Sequence, residues 1–482
     1  MRFLDAAMSA ARAAPRSELS SYDAMGLAEL VRGKQVTPDE VLEDTIRKIE
    51  AVNPKLNAVI HKTYERARQR AAQSVRNGAF AGVPFLVKDN ATIAGVRLTR
   101  GSRAQFDNVP DKTAPFFVSA ESAGLNLVGV TNMPEMGIID GTENVLYGPT
   151  HNPWNLEYSP GGSSGGSAAC VAAGILPLAH GTDGGGSIRI PASHCGLFGL
   201  KASRGRLLPG NFESPAWSRL VEACVSRTVR DTAMYLSVVE NPDTRLPRLG
   251  FVSGKSEKRL KIAVMYEGMR GQKPYPEVRK AVTNAGQLCL ELGHRVEEIK
   301  PSLDQAKLGT AAGQVAAVEV AKTVDAIAKA NGLTRLEDGF ESRALGLREQ
   351  AMRRGPFDEQ IAAALPVLEE GTAVLDQFFQ EWDVLLSPVV RDPIYKIGMR
   401  DQSRFAFGEL EQVLRDYVAY TSLHNICGTT AISVPLHWDM DGFPIGSQFA
   451  ARVGREATLL ALAYELEEAR PWASRHPPIF VT

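Results

Sequence analysis

The chain has 482 residues, 44% of them hydrophobic, which is ample for a large core, and length alone points to two or three domains. Its 54 basic and 55 acidic residues leave a net charge of −1, so there is no basic surplus to neutralise nucleic-acid phosphates. Five cysteines, at 170, 195, 224, 289 and 427, are an odd set without a C-x-x-C pair, which argues against a disulfide framework and against a zinc site.

The first 20 residues carry Arg2, Arg12 and Arg16 among many alanines, but Asp5 breaks the apolar stretch. A frayed helical arm therefore fits better than a targeting peptide. Thr37-Pro38-Asp39-Glu40 is a capping box with proline at the first helical position, and Val41, Leu42, Ile46 and Ile49 follow on one face. Asn53-Pro54 is expected to end that helix, and residues 1–75 read as a helical cover.

Gly82-Val83-Pro84-Phe85-Leu86-Val87-Lys88-Asp89-Asn90 follows, an apolar strand ending in a lysine. To act as a base Lys88 must be neutral, a move in pKa from about 10.4 to near 7 that corresponds to roughly 4 to 5 kcal/mol. Burial beside Phe85, Leu86 and Val87 can supply much of it. Asp89 would oppose this, but strand neighbours point to opposite faces, so Lys88 shares its side with Leu86. Taken alone, a strand-end lysine reaching into water is the commoner reading.

Two glycine-rich turns each present a serine: Gly161-Gly162-Ser163-Ser164-Gly165-Gly166 and, 24 residues further on, Thr182-Asp183-Gly184-Gly185-Gly186-Ser187. Leu176 to His180 suits a short buried strand, and Ser187-Ile188-Arg189-Ile190 can begin a helix. Such a turn aims N–H groups at one spot, where an amide carbonyl gains negative charge in its tetrahedral intermediate; one lost donor typically costs about 3 to 4 kcal/mol. Gly184, Gly185, Gly186 and Ser187 are the candidate oxyanion donors. Apolar flanks argue against free linkers, and neither turn has the Gly-Lys-Ser/Thr of a phosphate loop.

Residues 161 to 165 also fit Gly-x-Ser-x-Gly centred on Ser163, with His424 or His437 to recruit, but that reading leaves Lys88 and the second turn without a role. The longest apolar run, Ala168 to Ala179, is too short for a bilayer and is interrupted by Pro177. Further on, Lys261 to Met265 reads as a strand, residues 277–381 take helical spacing, and Glu381 to Pro388 returns to a sheet.

The stretches Gly82 to Asn90, Thr131 to Gly137, Asn152 to Asn155, Gly161 to Lys201, Ser226 to Asp231, Ala431 to Pro435 and Gly442 to Gly446 together resemble the amidase signature family, from about residue 22 onward. The resemblance implies one large α/β/α domain with a mixed β-sheet core. Its parts are the cover (1–75), the catalytic core (76–210) and its continuation (211–276), a variable helical pocket region (277–381) and the return to the sheet (382–482). It further implies Ser187 as acyl-forming nucleophile, Ser163 as a bridging serine after a cis peptide, and Lys88 as neutral base. Gly162, Ser164, Asp183 and Arg189 take supporting roles, with Asp183 and Arg189 pairing to hold the nucleophile turn. Cys195 reads as core, and His151 and His194 as structural. Neither metal nor cofactor is expected.

Gly184 departs from the larger residue usual in the family, and Gly428-Thr429-Thr430-Ala431 lacks the usual proline. The phrasing of Asp183 to Leu200 is similar to the branch that includes 6-aminohexanoate-cyclic-dimer hydrolases. It implies hydrolysis of a linear, aryl or cyclic non-peptide amide, with a carbamate or ester as the alternative. A glutaminase subunit of an amidotransferase and a non-catalytic scaffold rank below. The expected setting is cytoplasmic, with a small-molecule substrate, neither nucleic acid nor membrane as partner, and a homodimer left open.

Overall fold

The computed structural model describes residues 16–73, 78–210 and 218–481; the arm read from Arg2, Asp5 and Arg12 lies outside them. The capping box forms: Thr37 Oγ1 accepts from the Glu40 N–H at 3.2 Å and Glu40 Oε2 from the Thr37 N–H at 2.9 Å, opening the helix Pro38–Leu56. That helix runs through Pro54 rather than stopping there. A proline in the last turn removes a single N–H, and Asn53 closes the end, its Oδ1 accepting from the N–H groups of Ala58 and Val59.

Strands β1 (Val59–Lys62), β2 (Pro84–Lys88) and β3 (Asn126–Thr131) form a small sheet in the order β1-β3-β2. The larger sheet takes β4 (Leu178–Asp183), β5 (Phe198–Lys201), β6 (Val221–Ser226), β7 (Lys261–Val264), β8 (Arg295–Glu298), β9 (Val384–Pro388), β10 (Thr430–Trp438) and β11 (Pro444–Ala451). Its order is β4-β6-β5-β10-β11-β9-β7-β8, with β7 parallel to β8 and β9 and the other ladders antiparallel. This is the expected mixed-sheet α/β core. β4 starts after Pro177, which has no N–H for a ladder, and extends to Asp183.

The stretch read as helical does form the helices Pro276–Glu291, Gln305–Ala330, Ser342–Arg353 and Phe357–Glu381. It also holds β8, which sequence patterning missed because it is a half-exposed edge strand with Val296 as its single apolar residue. Among the described residues, no helix is long and apolar enough to cross a membrane.

Three elements converge where the two sheets meet. β2 lies beside β4, the Lys88 N–H donating to His180 Nδ1 at 3.2 Å. The helix Gly165–Ala172, which carries Ser163 and Ser164 at its entrance, packs so closely on β3 that a Cβ on Gly166 would stand 2.6 Å from both the N and O of Asn132. Ordinarily Gly→Ala within a helix gains up to about 1 kcal/mol. Here Gly166→Ala is expected to destabilise by about 1 to 3 kcal/mol through overpacking against rigid backbone, read as a fall in melting temperature; a rise would show that the contact yields.

Candidate active site

Lys88 is fully buried at the end of β2. Its Nζ lies 2.6 Å from Ser163 Oγ, 2.9 Å from Thr182 Oγ1 and 3.0 Å from Ser164 Oγ. Burial pushes the amine down to about 7, against the upward pull of Glu222 and Asp183. Asp89 points the other way, as strand alternation requires: its carboxylate accepts from the N–H groups of Thr99 and Gly101, each at 2.9 Å, and from Thr99 Oγ1. The Lys88 that reaches into water is thereby excluded.

Hydrogen-bond accounting orients the amine. Ser164 Oγ donates to Thr182 O at 3.3 Å and accepts from the Thr182 N–H at 3.2 Å, so it meets Lys88 with a lone pair. Thr182 Oγ1 accepts from Asn90 Nδ2 at 3.1 Å and from Lys88. A neutral amine has two N–H bonds and one lone pair. With the two N–H bonds directed at Ser164 and Thr182, the lone pair faces Ser163, whose hydroxyl can donate to it.

The peptide between Gly162 and Ser163 is cis. Gly162 is held against the 140–141 backbone, where a Cβ would fall 2.7 Å from Asp140 C. The two serine turns are tied together by the Ser164 N–H, which donates to Ser187 O at 3.2 Å. Among the described residues the Ser187 hydroxyl itself makes no hydrogen bond, and the residue is half-buried.

Asp183 and Arg189 pair as expected, Nε to Oδ2 and Nη2 to Oδ1 both at 2.9 Å, with neither exposed. Burial alone would raise the Asp183 carboxyl, but Arg189, Lys201 and Asn425 hold it well below the usual carboxylate range. Arg189 also donates to Gln448 Oε1 and Asn425 Oδ1, each at 2.6 Å, and to Thr421 O at 3.0 Å.

One candidate oxyanion donor is corrected. The Gly186 N–H already donates to Asp183 Oδ1 at 2.8 Å, so this glycine serves the turn's shape: its φ is +131° and a Cβ would stand 2.4 Å from Thr421 Oγ1. The N–H groups of Gly184, Gly185 and Ser187 meet no acceptor among the described residues. Gly184 has room for a side chain, its nearest neighbour being Leu220 Cδ1 at 3.4 Å from a Cβ.

The histidines are accounted for elsewhere. His424 Nδ1 meets Thr429 Oγ1 at 3.0 Å, His437 lies 3.7 Å from Glu277, His194 Nε2 meets Tyr417 Oη at 2.6 Å, and His151 Nδ1 meets Leu156 O at 2.6 Å. Ser163 is partnered by Lys88 and by none of them, which removes the Gly-x-Ser-x-Gly reading. Cys195 is buried core. Thr182 and Asn90 were missed by sequence reasoning. The first was within reach, because Thr182 shares a face of β4 with His180, the residue that meets the Lys88 backbone.

The site thus brings together a buried amine lowered to about 7, a hydroxyl against that amine and a second serine on the adjoining glycine turn. The chain belongs to the amidase family, whose model matches residues 40–460. It is 38% identical over 465 residues to "Putative amidase AmiC" of Mycobacterium leprae (strain TN), covering 94% of this chain and 96% of that protein. It is 34% identical to the 6-aminohexanoate-cyclic-dimer hydrolase of Paenarthrobacter ureafaciens, covering 95% and 96%. A solved structure of 6-aminohexanoate cyclic dimer hydrolase complexed with substrate superposes with a TM-score of 0.87 at 34% identity, covering 96% of this chain and 99% of that one.

On the reading that Lys88 is the base, which works only when deprotonated, the rate at which a fluorophosphonate labels Ser187 is expected to rise about tenfold per pH unit below 7 and to level off above. Lys201 is also pushed down to about 7, by burial and by Arg189, while its amine donates to Ala202 O at 2.8 Å. The pH profile of labelling should survive Lys201→Met; a profile that moves with Lys201 would reassign the base.

Proposed function

We propose that the chain hydrolyses a non-peptide carboxylic amide through an acyl-enzyme on Ser187. Ser187 Oγ attacks the carbonyl carbon while its proton passes to Ser163 Oγ and the Ser163 proton passes to Lys88 Nζ. The N–H groups of Gly184, Gly185 and Ser187 receive the oxyanion. The relay then runs backwards and protonates the leaving nitrogen as the carbon–nitrogen bond breaks. Water, deprotonated by the same route, attacks the acyl ester, releasing the carboxylic acid and restoring Ser187.

The observation that carries this reading is the fully buried Lys88 amine, pushed to about 7 and 2.6 Å from Ser163 Oγ. The short contact is the first leg of the relay, and the half-buried Ser187 stands at the accessible end. Kinship with a hydrolase of 6-aminohexanoate cyclic dimer supports a linear, aryl or cyclic amide over a peptide.

Turnover of a panel of aryl, aliphatic and cyclic amides and carbamates, compared by kcat/KM, tests the assignment. Ser187→Ala is expected to abolish turnover and Lys88→Ala to lower it by roughly 10³-fold or more, as for loss of a member of a nucleophile–base unit. A Lys88→Ala enzyme with near-normal activity at neutral pH would remove the base. Thr182→Val deprives one amine N–H of its acceptor, and the expected cost of about 1 to 3 kcal/mol should appear in kcat rather than KM.

A further inference from the structure

Two segments far apart in sequence approach each other near the Ser187 turn, the residues just before β6 and the helix Gln305–Ala330. Leu220, 39% exposed, stands over Gly184. The residue before it, Arg219, is fixed through its carbonyl, which accepts from Asn425 Nδ2 at 3.2 Å; the same amide donates to Asp183 O at 2.9 Å, at the foot of the turn. The backbone of Arg219 is thus anchored to the residue that begins the nucleophile turn.

Its guanidinium is poorly satisfied. Nη2 lies 3.7 Å from Oε2 of Glu319 on the long helix, beyond hydrogen-bond length. Nε is buried and, among the described residues, has no acceptor. The surroundings do not compensate. Arg204 spends its guanidinium on the carbonyls of Ser218, Asn425 and Ile426, none of them a carboxylate. The carboxylate of Asp183 is already matched by Arg189. Among the described residues the Arg219 guanidinium therefore has one carboxylate near it, that of Glu319, held beyond hydrogen-bond length, and unmet donors of this sign favour an anion. Burial pushes the Glu319 carboxyl up and Arg219 pulls it only part way back, so Glu319 is a reluctant counter-ion. Both side chains keep solvent access, 23% for Arg219 and 36% for Glu319, so an incoming group can reach them.

We infer that Arg219 is a specificity residue that receives a carboxylate carried by the substrate, with Glu319 the placeholder which that carboxylate displaces; this rests on the amidase reading above. A guanidinium fork matches a carboxylate in two parallel hydrogen bonds, and the partly exposed Arg219 side chain offers such a fork to an incoming group.

Matched 4-nitroanilides whose acyl chains end in a carboxylate or in a methyl group, and matched acyl anilides with and without a carboxylate on the ring, place the charge on either side of the scissile bond. The wild-type enzyme is expected to favour a carboxylate in one of the two sets by about tenfold or more in kcat/KM. Arg219→Gln should erase that preference through KM while leaving the uncharged partner within about threefold. Glu319→Gln should move the other way, raising kcat/KM for the carboxylate substrate, because it removes the competitor. Loss of packing alone would lower both members of a pair together and would overturn the proposal, as would a Glu319→Gln enzyme poorer on the carboxylate substrate. Fluorophosphonate labelling of Ser187 with no carboxylate preference in either set sinks the specificity assignment alone. Absence of both labelling and hydrolysis sinks the amidase reading and this inference with it.

Discussion

An amine enclosed with hydroxyl partners and no carboxylate in contact is the constraint on which the site depends. Burial lowers the pKa of Lys88, yet an amine in the interior must still satisfy its N–H bonds. Carboxylates would satisfy them and hold the proton in place; Ser164 and Thr182 satisfy them without doing so, and Ser163 meets the lone pair. The nearby carboxylates have other partners. Glu222 meets His180 Nε2 at 2.7 Å, Asp183 is paired with Arg189, and Asp89 faces the Thr99 to Gly101 loop. Each would pull the lysine toward its charged state if it were free to contact the amine.

The same economy of charge explains why the nucleophile turn is built on a buried ion pair. A buried pair with one partner missing leaves an uncompensated charge, so its geometry has to be complete. The Arg189 guanidinium reaches Asp183, Gln448 on β11, and Thr421 and Asn425 from the segment before β10. Thr421 Oγ1 in turn donates to Gly185 O at 2.6 Å. The turn that carries Ser187 is thereby fixed from the C-terminal part of the chain as well as by Asp183, while the N–H groups of Gly184 and Gly185 meet no acceptor among the described residues.

The distribution of these contacts decides what could be read from the chain. Lys88, Ser163 and Ser187 stand out in the chain because each sits in a local pattern with a chemical meaning: a charge closing an apolar strand, or a serine within a glycine turn. The Asp183–Arg189 pair was legible because its partners are six residues apart. Asn425 and Gln448 were not, since no local pattern predicts which distant amides meet a guanidinium. The Gly186 N–H was misassigned for a related reason: composition shows that a turn can expose its amides, and only coordinates show which of them Asp183 has taken. β8 escaped because two residues on each face of an edge strand carry too little periodicity, and the helix end at Pro54 because Asn53 replaces the stop signal with side-chain hydrogen bonds.

The helices between β8 and β9 are joined to the rest of the fold at points close to Ser163. The helix Ser342–Arg353 is anchored by Glu341, whose N–H donates to Glu135 Oε2 at 2.8 Å and whose Oε1 accepts from the Val145 N–H at 2.8 Å. Glu135 also accepts from Ser102 Oγ at 2.7 Å. Two residues after Glu135, Gly137 approaches the bridging serine so closely that a Cβ would lie 3.2 Å from Ser163 Oγ. The helix Ser342–Arg353 is therefore tied to the 135–138 turn by polar contacts and by apolar packing, Met136 and Ile138 lying against the cluster that holds Ala344 and Leu347. That packing sets the helix beside a turn that touches Ser163, while Lys88 takes its three hydroxyl contacts from β4 and from the entrance of the helix Gly165–Ala172.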